Sequence, residues 1–565
     1  MKVLKFLTVS MLILSLALGS VILCSCTSQQ TVAPTSTEST ETTTVPTEKA
    51  KYTETFTWAH DFEFTQIDPA TCNSSEMQIL MACYDRLVEY GYVNNELKIL
   101  PVLAESWEVA NDATSITFHI RKGVSFDDGT PCDAQAVAFS LKRAKEIKKG
   151  QALPYDWMKD VEVLDDYTVK VNCNYPYAPG LAALTHMTAS IVNPTAVKKH
   201  ATTEDPWAYE WFQQHTDGTG CFNITQLEPG GTTILTRKDH NWRDDLTEKD
   251  FQANPYLDIR NANIKTAIHK TIKEASTMLM QLEKGELDHA KNVPAPMLKE
   301  AMARNSKITT VKGGVLRNRF VFCNTQKSPL DDVNLRKALA YAVDYQGICE
   351  KALGGSETPH GVPWLSAIWP QVTEGRYYYD PEKAKEYLAK SKYKGEKLIF
   401  RGFSSPDFEA SAAALVADWA AIGVNVEWAG VPWSILYDEW ILKGKADLVM
   451  FTGWPDYPDP DAVAIRYWSG YWPPNGWNVA RYKNERVDEL FMKGRQTANK
   501  EDRVPIYEEL QKIVIDDCPI IWVSELTTND QAIGTWIHAN VPLLVPGESD
   551  FVHFELIHKE SAELP

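Results

Sequence analysis

The 565-residue chain contains no Cys-x-x-Cys pair, no His-Glu-x-x-His helix, no Gly-x-Ser-x-Gly elbow and no phosphate-cradling Gly-rich loop. Those gaps remove the short motifs of structural zinc, metalloprotease, serine-hydrolase and nucleotide chemistry. The twelve histidines are scattered, and "DDGTP" at 127–131 lacks the spacing of an EF-hand calcium loop. The residues therefore lead to the expectation of no metal and no cofactor. Positive charge is also scarce. The 57 Lys+Arg against 75 Asp+Glu leave a net charge of −18, with no basic patch. A chain so charged repels nucleic acid and anionic lipid and favours neutral or cationic partners.

What is present begins with an export signal. Lys2 and Lys5 precede an uncharged run from Phe6 to Leu23, the layout of a signal peptide; a single spanning helix is the alternative for a run this long. Leu23-Cys24-Ser25-Cys26 resembles the bacterial lipobox, which implies removal of residues 1–25, a lipid on Cys26, and a protein at the outer face of the cytoplasmic membrane or in the periplasm. Residues 27–50 hold nine Thr, three Ser and two Pro and almost nothing apolar. They read as a disordered tether of roughly 25–30 Å. The eight later cysteines are widely spaced, and either disulfides or buried thiols fit an exported body.

The body is long enough for three to four domains by a prior of about 150 residues each. "TETFTWAHD" turns Phe56 and Trp58 inward as a strand. Residues 74–91 carry one apolar face and read as a helix, with Ser75 and Gln78 as capping box and Gly91 as stop. Ile116, Phe118 and Ile120 alternate as a strand, Asp133 is placed to cap the next helix, and "VEVLDDYTVKVNC" reads as a hairpin. From about residue 316 strands and helices alternate, which predicts an α/β lobe with a mostly parallel sheet.

In that lobe "ADLVMFTGWPDYPDPDAVA", residues 446–464, sends a strand into a Pro-stiffened acidic loop. Ligands bind beyond the carboxyl ends of strands in such sheets. Asp456 is the candidate contact for a cation; the alternative is an Asx-turn that only shapes the loop. Asp459 and Asp461 read as turn and cap residues. Trp454 and Tyr457, which flank that carboxylate, are further candidate ligand contacts; Trp454 could stack on a ligand, and core packing is its alternative. Trp433, Trp468, Trp472 and Trp477 sit in aromatic loops that either line a pocket or fill packing between lobes.

Several blocks are familiar. Residues 103–144, "LAESWEVANDATSITFHIRKGVSFDDGTPCDAQAVAFSLKRA", are similar to the signature of the bacterial extracellular solute-binding protein family 5, the oligopeptide, dipeptide and nickel receptors of ABC importers. "GTGCFNITQLEPGGTTILTRKDHNWR", "FCNTQKSPLDDVNLRKALAYAVD", "YYYDPEKAKEYLAKS", "ADWAAIGVNVEW", "GWPDYPDP" and "YEELQKIVIDDCPIIWV" follow in the family's order.

The resemblance implies an α/β, two-lobed periplasmic-binding-protein-like fold of class II with an extra α+β domain inserted in the first lobe. Carried over, lobe I spans 51–90, 219–315 and 521–565, the insert 91–218, and lobe II 316–520. It implies a monomeric, non-enzymatic receptor that closes on a peptide by hinge motion and passes it to a membrane permease. Asp456 matches the position that accepts the peptide's α-ammonium. The loop in "RGFSSPDFEASAAALV" has no Arg for a dipeptide's carboxylate, so an oligopeptide is expected. The alternatives are a receptor of the same fold for an oligosaccharide or a nickel or other metal chelate, and a secreted glycoside hydrolase using paired carboxylates.

Overall fold

The computed structural model describes residues 53–64, 67–72, 76–94, 96–147, 155–311, 316–453, 455–526, 531–544 and 552–560. Cys26, the tether and Trp454 lie outside them.

Two hydrophobic clusters organise the body. The first gathers core residues from Phe56 to Val311 and again from Ala532 to Ile557. The second runs from Leu316 to Val523. The chain thus passes from one to the other between Val311 and Leu316 and returns between Leu526 and Gln531. The residues that flank the two passages are paired: the Leu526 N–H donates to the Arg317 carbonyl (2.9 Å) and the Val311 N–H to the Gln531 carbonyl (3.2 Å).

The first cluster encloses a seven-stranded sheet in the order 308–310, 532–534, 289–290, 55–60, 266–271, 232–237, 222–227. A four-stranded antiparallel sheet, in the order 104–109, 115–120, 168–173, 158–165, packs under the helix Ala134–Glu146. Asp133 caps that helix through the Ala136 N–H at 3.0 Å, as its position in the sequence predicts. Ile116, Phe118 and Ile120 are all buried, which follows from their alternation.

Two expectations are corrected. The helix over 74–91 is shorter: it spans Met77–Cys83, and Val88–Val93 is a strand paired antiparallel with Glu96–Pro101. Gly91 does not stop a helix. A Cβ there would lie 2.5 Å from Leu100 and 2.6 Å from Tyr256, so glycine serves close approach within a packed hairpin. The second lobe's sheet is mixed rather than mostly parallel. Its order is 357–359, 520–526, 318–323, 448–453, 398–403, 426–431. Leu398–Phe403 is parallel to both neighbours, whereas Asn318–Cys323 is antiparallel to both of its own. The parallel strands follow helical crossovers. Asn318–Cys323 instead enters the sheet from the passage between the cores and runs the other way. Ile520–Leu526 also pairs in this sheet, and Ala532–Gly534 pairs in the first.

That reversal places the acidic loop that the sequence singles out. Asn318 lies at the passage between cores, and Gly453 is its register partner. The carboxyl end of Leu448–Gly453, and the acidic loop beyond it, therefore point to the seam between the two cores.

Candidate functional site

The loop after Gly453 is fixed by its own carboxylates. Asp459 caps the short helix Pro460–Ala464, accepting from the Asp461 N–H at 2.9 Å. It also takes both arms of Arg503, at 2.6 and 2.9 Å. Asp461 is fully buried and accepts from Arg495 Nε (3.0 Å) and Nη2 (3.1 Å), from the Tyr457 hydroxyl (2.8 Å) and from the Tyr177 hydroxyl (3.1 Å). Both acids are bidentate partners of buried guanidiniums, the strongest form of such pairing. They are structural, and the expected turn and cap role is met by Asp459.

Asp456 differs. It is half-buried on the wall of a cavity of about 20 Å³, shared with Tyr155, Trp157, Tyr177, Ala183, Tyr457, Ala462, Ile465, Tyr471 and Arg495. That is room for one small polar group. Among the described residues no hydrogen-bond donor meets its carboxylate. Burial pushes its pKa up to about 6, opposed by the charge of Arg466. The site is thus a carboxylate whose charged form is under-served by its surroundings, which a cation would relieve.

The walls come from both cores. Tyr155, Trp157, Tyr177 and Ala183 belong to the first; Tyr457 and Ala462 also pack against it. Val463, Ala464 and Tyr467, a few residues on, belong to the second. Trp157 and Tyr177 stack at 4.8 Å and make a rigid wall. Elsewhere on the seam Phe62, just past the strand Thr55–His60, stacks on Phe403 at 6.4 Å, at the end of Leu398–Phe403.

The sequence candidates separate. Asp456 and Tyr457 come together at the cavity. Trp433 and Trp477 stack at 6.0 Å in a different aromatic cluster with Tyr437 and Phe451. Trp468 packs on Phe491 at 5.3 Å, and Trp472 donates its indole N–H to the Tyr482 carbonyl at 2.9 Å. None of these four tryptophans lines the cavity. Tyr155, Trp157 and Tyr177, more than 270 residues before Asp456, were not singled out in the sequence. Tyr177 did carry a signal: it stands between Pro176 and Pro179, the same bracketing that marks the acidic loop.

Residues 404–409, which lead into the helix Pro406–Ala421, carry Asp407 and Glu409 and no cation. The guanidinium that reaches it, Arg319, is shared between Asp407 and Glu357, each at 2.8 Å. Glu409 accepts the Trp428 indole N–H at 2.6 Å. Among the described residues no group of three or more His, Cys, Asp or Glu side chains is placed to hold a metal ion. The eight cysteines of the body are free thiols, with Cys173 alone half-buried and the others buried.

Residues 98–475 match the family described as bacterial extracellular solute-binding proteins, family 5 middle. The chain belongs to that family. Among curated relatives, this family 5 protein is 28% identical over 464 residues to the probable D,D-dipeptide-binding periplasmic protein DdpA of Escherichia coli, covering 81% of this chain and 86% of the relative. It is 29% identical to heme-binding protein A of Haemophilus influenzae, covering 81% and 83%. In structure it resembles the periplasmic binding protein DppA of Helicobacter pylori in complex with the peptide STSA. That match has a TM-score of 0.74 at 22% identity and covers 90% of this chain and 98% of that one. The fold is therefore the two-lobed α/β periplasmic-binding-protein type, as expected from the sequence blocks, and the cavity at Asp456 lies where its two cores meet.

Proposed function

We propose that the chain is the solute-binding component of an ABC importer, and that it captures peptides by closing its two lobes on them. The single observation that carries this is Asp456: a carboxylate that meets no hydrogen-bond donor among the described residues, at the seam of the two cores, in a family 5 solute-binding protein. A peptide's α-ammonium supplies the missing partner, and a charge-assisted hydrogen bond in an enclosed site is worth about 1.5–3 kcal/mol. Residues 404–409 carry two acids and no cation for a ligand's carboxylate, which favours an oligopeptide over a dipeptide. Relatives named for peptide binding support the same class.

The protein works as a monomer, performs no chemistry on its ligand, and delivers it to a membrane permease. Cys26 carries the lipid anchor, and the Thr-rich segment is the leash that holds the body near the membrane. A glycoside hydrolase loses support because Asp459 and Asp461 are each paired with an arginine, so neither is a free carboxylate for a pair across a scissile bond. A sugar or other ring-bearing solute is the second reading, favoured by the stacked Trp433 and Trp477.

The test is native mass spectrometry of the purified protein, before and after denaturation. The proposal expects a mixed population of peptide masses that Asp456→Ala releases. A single sugar or metal-chelate mass that survives Asp456→Ala contradicts it.

A further inference from the structure

Beside the Asp456 cavity a polar junction ties the two cores together, and its two halves are built differently. On the second side, Asp461 is held by Arg495 (3.0 and 3.1 Å) and by the Tyr457 hydroxyl (2.8 Å), all of them buried. The acid has charge and hydrogen-bond partners within its own stretch of chain. This half is complete by itself.

On the first side stands Tyr177. Its N–H donates to the Ala113 carbonyl at 2.8 Å and its ring stacks on Trp157, so it moves with the first core. Its hydroxyl reaches across to Asp461 Oδ2 and to the Tyr457 hydroxyl, both at 3.1 Å. The next residue repeats the bridge through the backbone, the Ala178 N–H donating to the Arg495 carbonyl at 3.0 Å. The Arg495 guanidinium lies over the Tyr177 ring at 5.1 Å. The contact is dry: Tyr177 is 3% exposed, Arg495 4% and Asp461 0%. A hydrogen bond to a buried carboxylate counts for more than one at the surface.

The junction is also coupled to the cavity. Tyr177, Tyr457 and Arg495 line it together with Asp456. Asp456 and Asp461 are joined by a short loop-to-helix segment braced by Pro455, Pro458 and Pro460. The junction therefore fastens walls of the same cavity that Asp456 faces.

We propose that Tyr177 is a positioning residue, the movable half of a clasp that fastens the closed lobes onto the preassembled Asp461–Arg495–Tyr457 catch and so sets how long a solute is retained. This rests on the reading of the Asp456 cavity as the solute site. Tyr177→Phe keeps the ring, its stack on Trp157 and the Ala178 bridge, and removes only the hydroxyl.

The experiment pairs two readouts on the purified protein. Small-angle X-ray scattering, with and without saturating tetra-alanine, reports lobe opening. Stopped-flow displacement of labelled tetra-alanine reports its dissociation rate. The clasp predicts that Tyr177→Phe has a larger scattering radius than wild type and releases tetra-alanine about tenfold faster, the loss of one hydrogen bond to a charged group. Identical scattering of the two proteins in both conditions overturns it. Faster release with unchanged scattering also overturns it, because Tyr177 would then act on the solute directly. A larger radius in Tyr177→Phe with no tetra-alanine binding to either protein upholds the clasp and counts against the peptide reading alone. A purely structural role would lower the melting temperature and leave the radius of the folded protein unmoved.

Discussion

Replacing Asp456 by Asn should make the empty protein more stable and its ligand complex weaker. An isolated carboxylate titrates near 3.8, and burial has pushed Asp456 up to about 6 after the attraction of Arg466 is included. The difference corresponds to about 3 kcal/mol at neutral pH. The sign follows from linkage. The folded pKa lies above the unfolded one, so the penalty is absent below about pH 4, grows as pH rises towards 6, and is complete above it. Asp456→Asn removes that penalty and should raise the unfolding free energy of ligand-free protein at pH 7.5 by up to about 3 kcal/mol. At pH 4 the two proteins should match. The assay is urea unfolding of ligand-stripped protein at both pH values. Equal stability at pH 7.5, or a less stable variant, would refute the claim that this carboxylate lacks partners in the empty site.

Three further outcomes follow from buried groups. Arg495→Met leaves Asp461 buried without its cation and should cost about 3–5 kcal/mol, with much of it recovered in the Arg495→Met, Asp461→Leu double variant; urea unfolding measures both, and no recovery would contradict the pairing. Burial holds His269 and His289 near 3 and His60 well below the usual histidine value. These rings stay neutral in the fold while the unfolded chain protonates them, so stability falls as pH drops below about 6.5, by up to about 4 kcal/mol per pH unit from the three together. His269→Leu should remove about a third of that slope, and an unchanged acid limb would argue against neutral burial. Alkylation of the native protein should modify Cys173 well before the other seven cysteines of the body, and a reductant should leave the melting temperature unchanged; a shift on reduction would reveal a disulfide.

Local features were legible in the sequence because local physics decides them. Alternation placed Phe56, Trp58, Ile116 and Phe118 inward. Asp133 and Asp459 cap helices because a short acceptor before a helix has one good use. The errors came where two patterns overlap or where direction matters. Residues 74–91 satisfy a helical period, yet Val88–Val93 pairs as a strand because Glu96–Pro101 completes the hairpin. The strand–helix alternation of the second lobe was read correctly, but alternation says nothing about a strand that arrives from the other core. Of the candidate cavity, one side is visible in the sequence. Asp456 and Tyr457 share a conspicuous loop. Their wall across the seam, Tyr155, Trp157 and Tyr177, is set by the packing of two cores, and the commitment of Asp461 to Arg495 by a helix 34 residues on. Neither leaves a period or spacing in the chain. The aromatic loops drew attention to Trp433, Trp468 and Trp477, whose rings pack on one another or on Phe491 instead of facing the cavity.

The central claim is that Asp456 receives the ammonium of a bound peptide. The most direct measurement is a two-by-two calorimetric cycle: wild type and Asp456→Asn, each titrated with tetra-alanine and with N-acetyl-tetra-alanine. The account predicts that acetylation weakens binding to wild type by about 10–100-fold, the equivalent of 1.5–3 kcal/mol, and has little effect on Asp456→Asn. If acetylation costs both proteins the same, the ammonium is not at Asp456 and the account of this site is wrong.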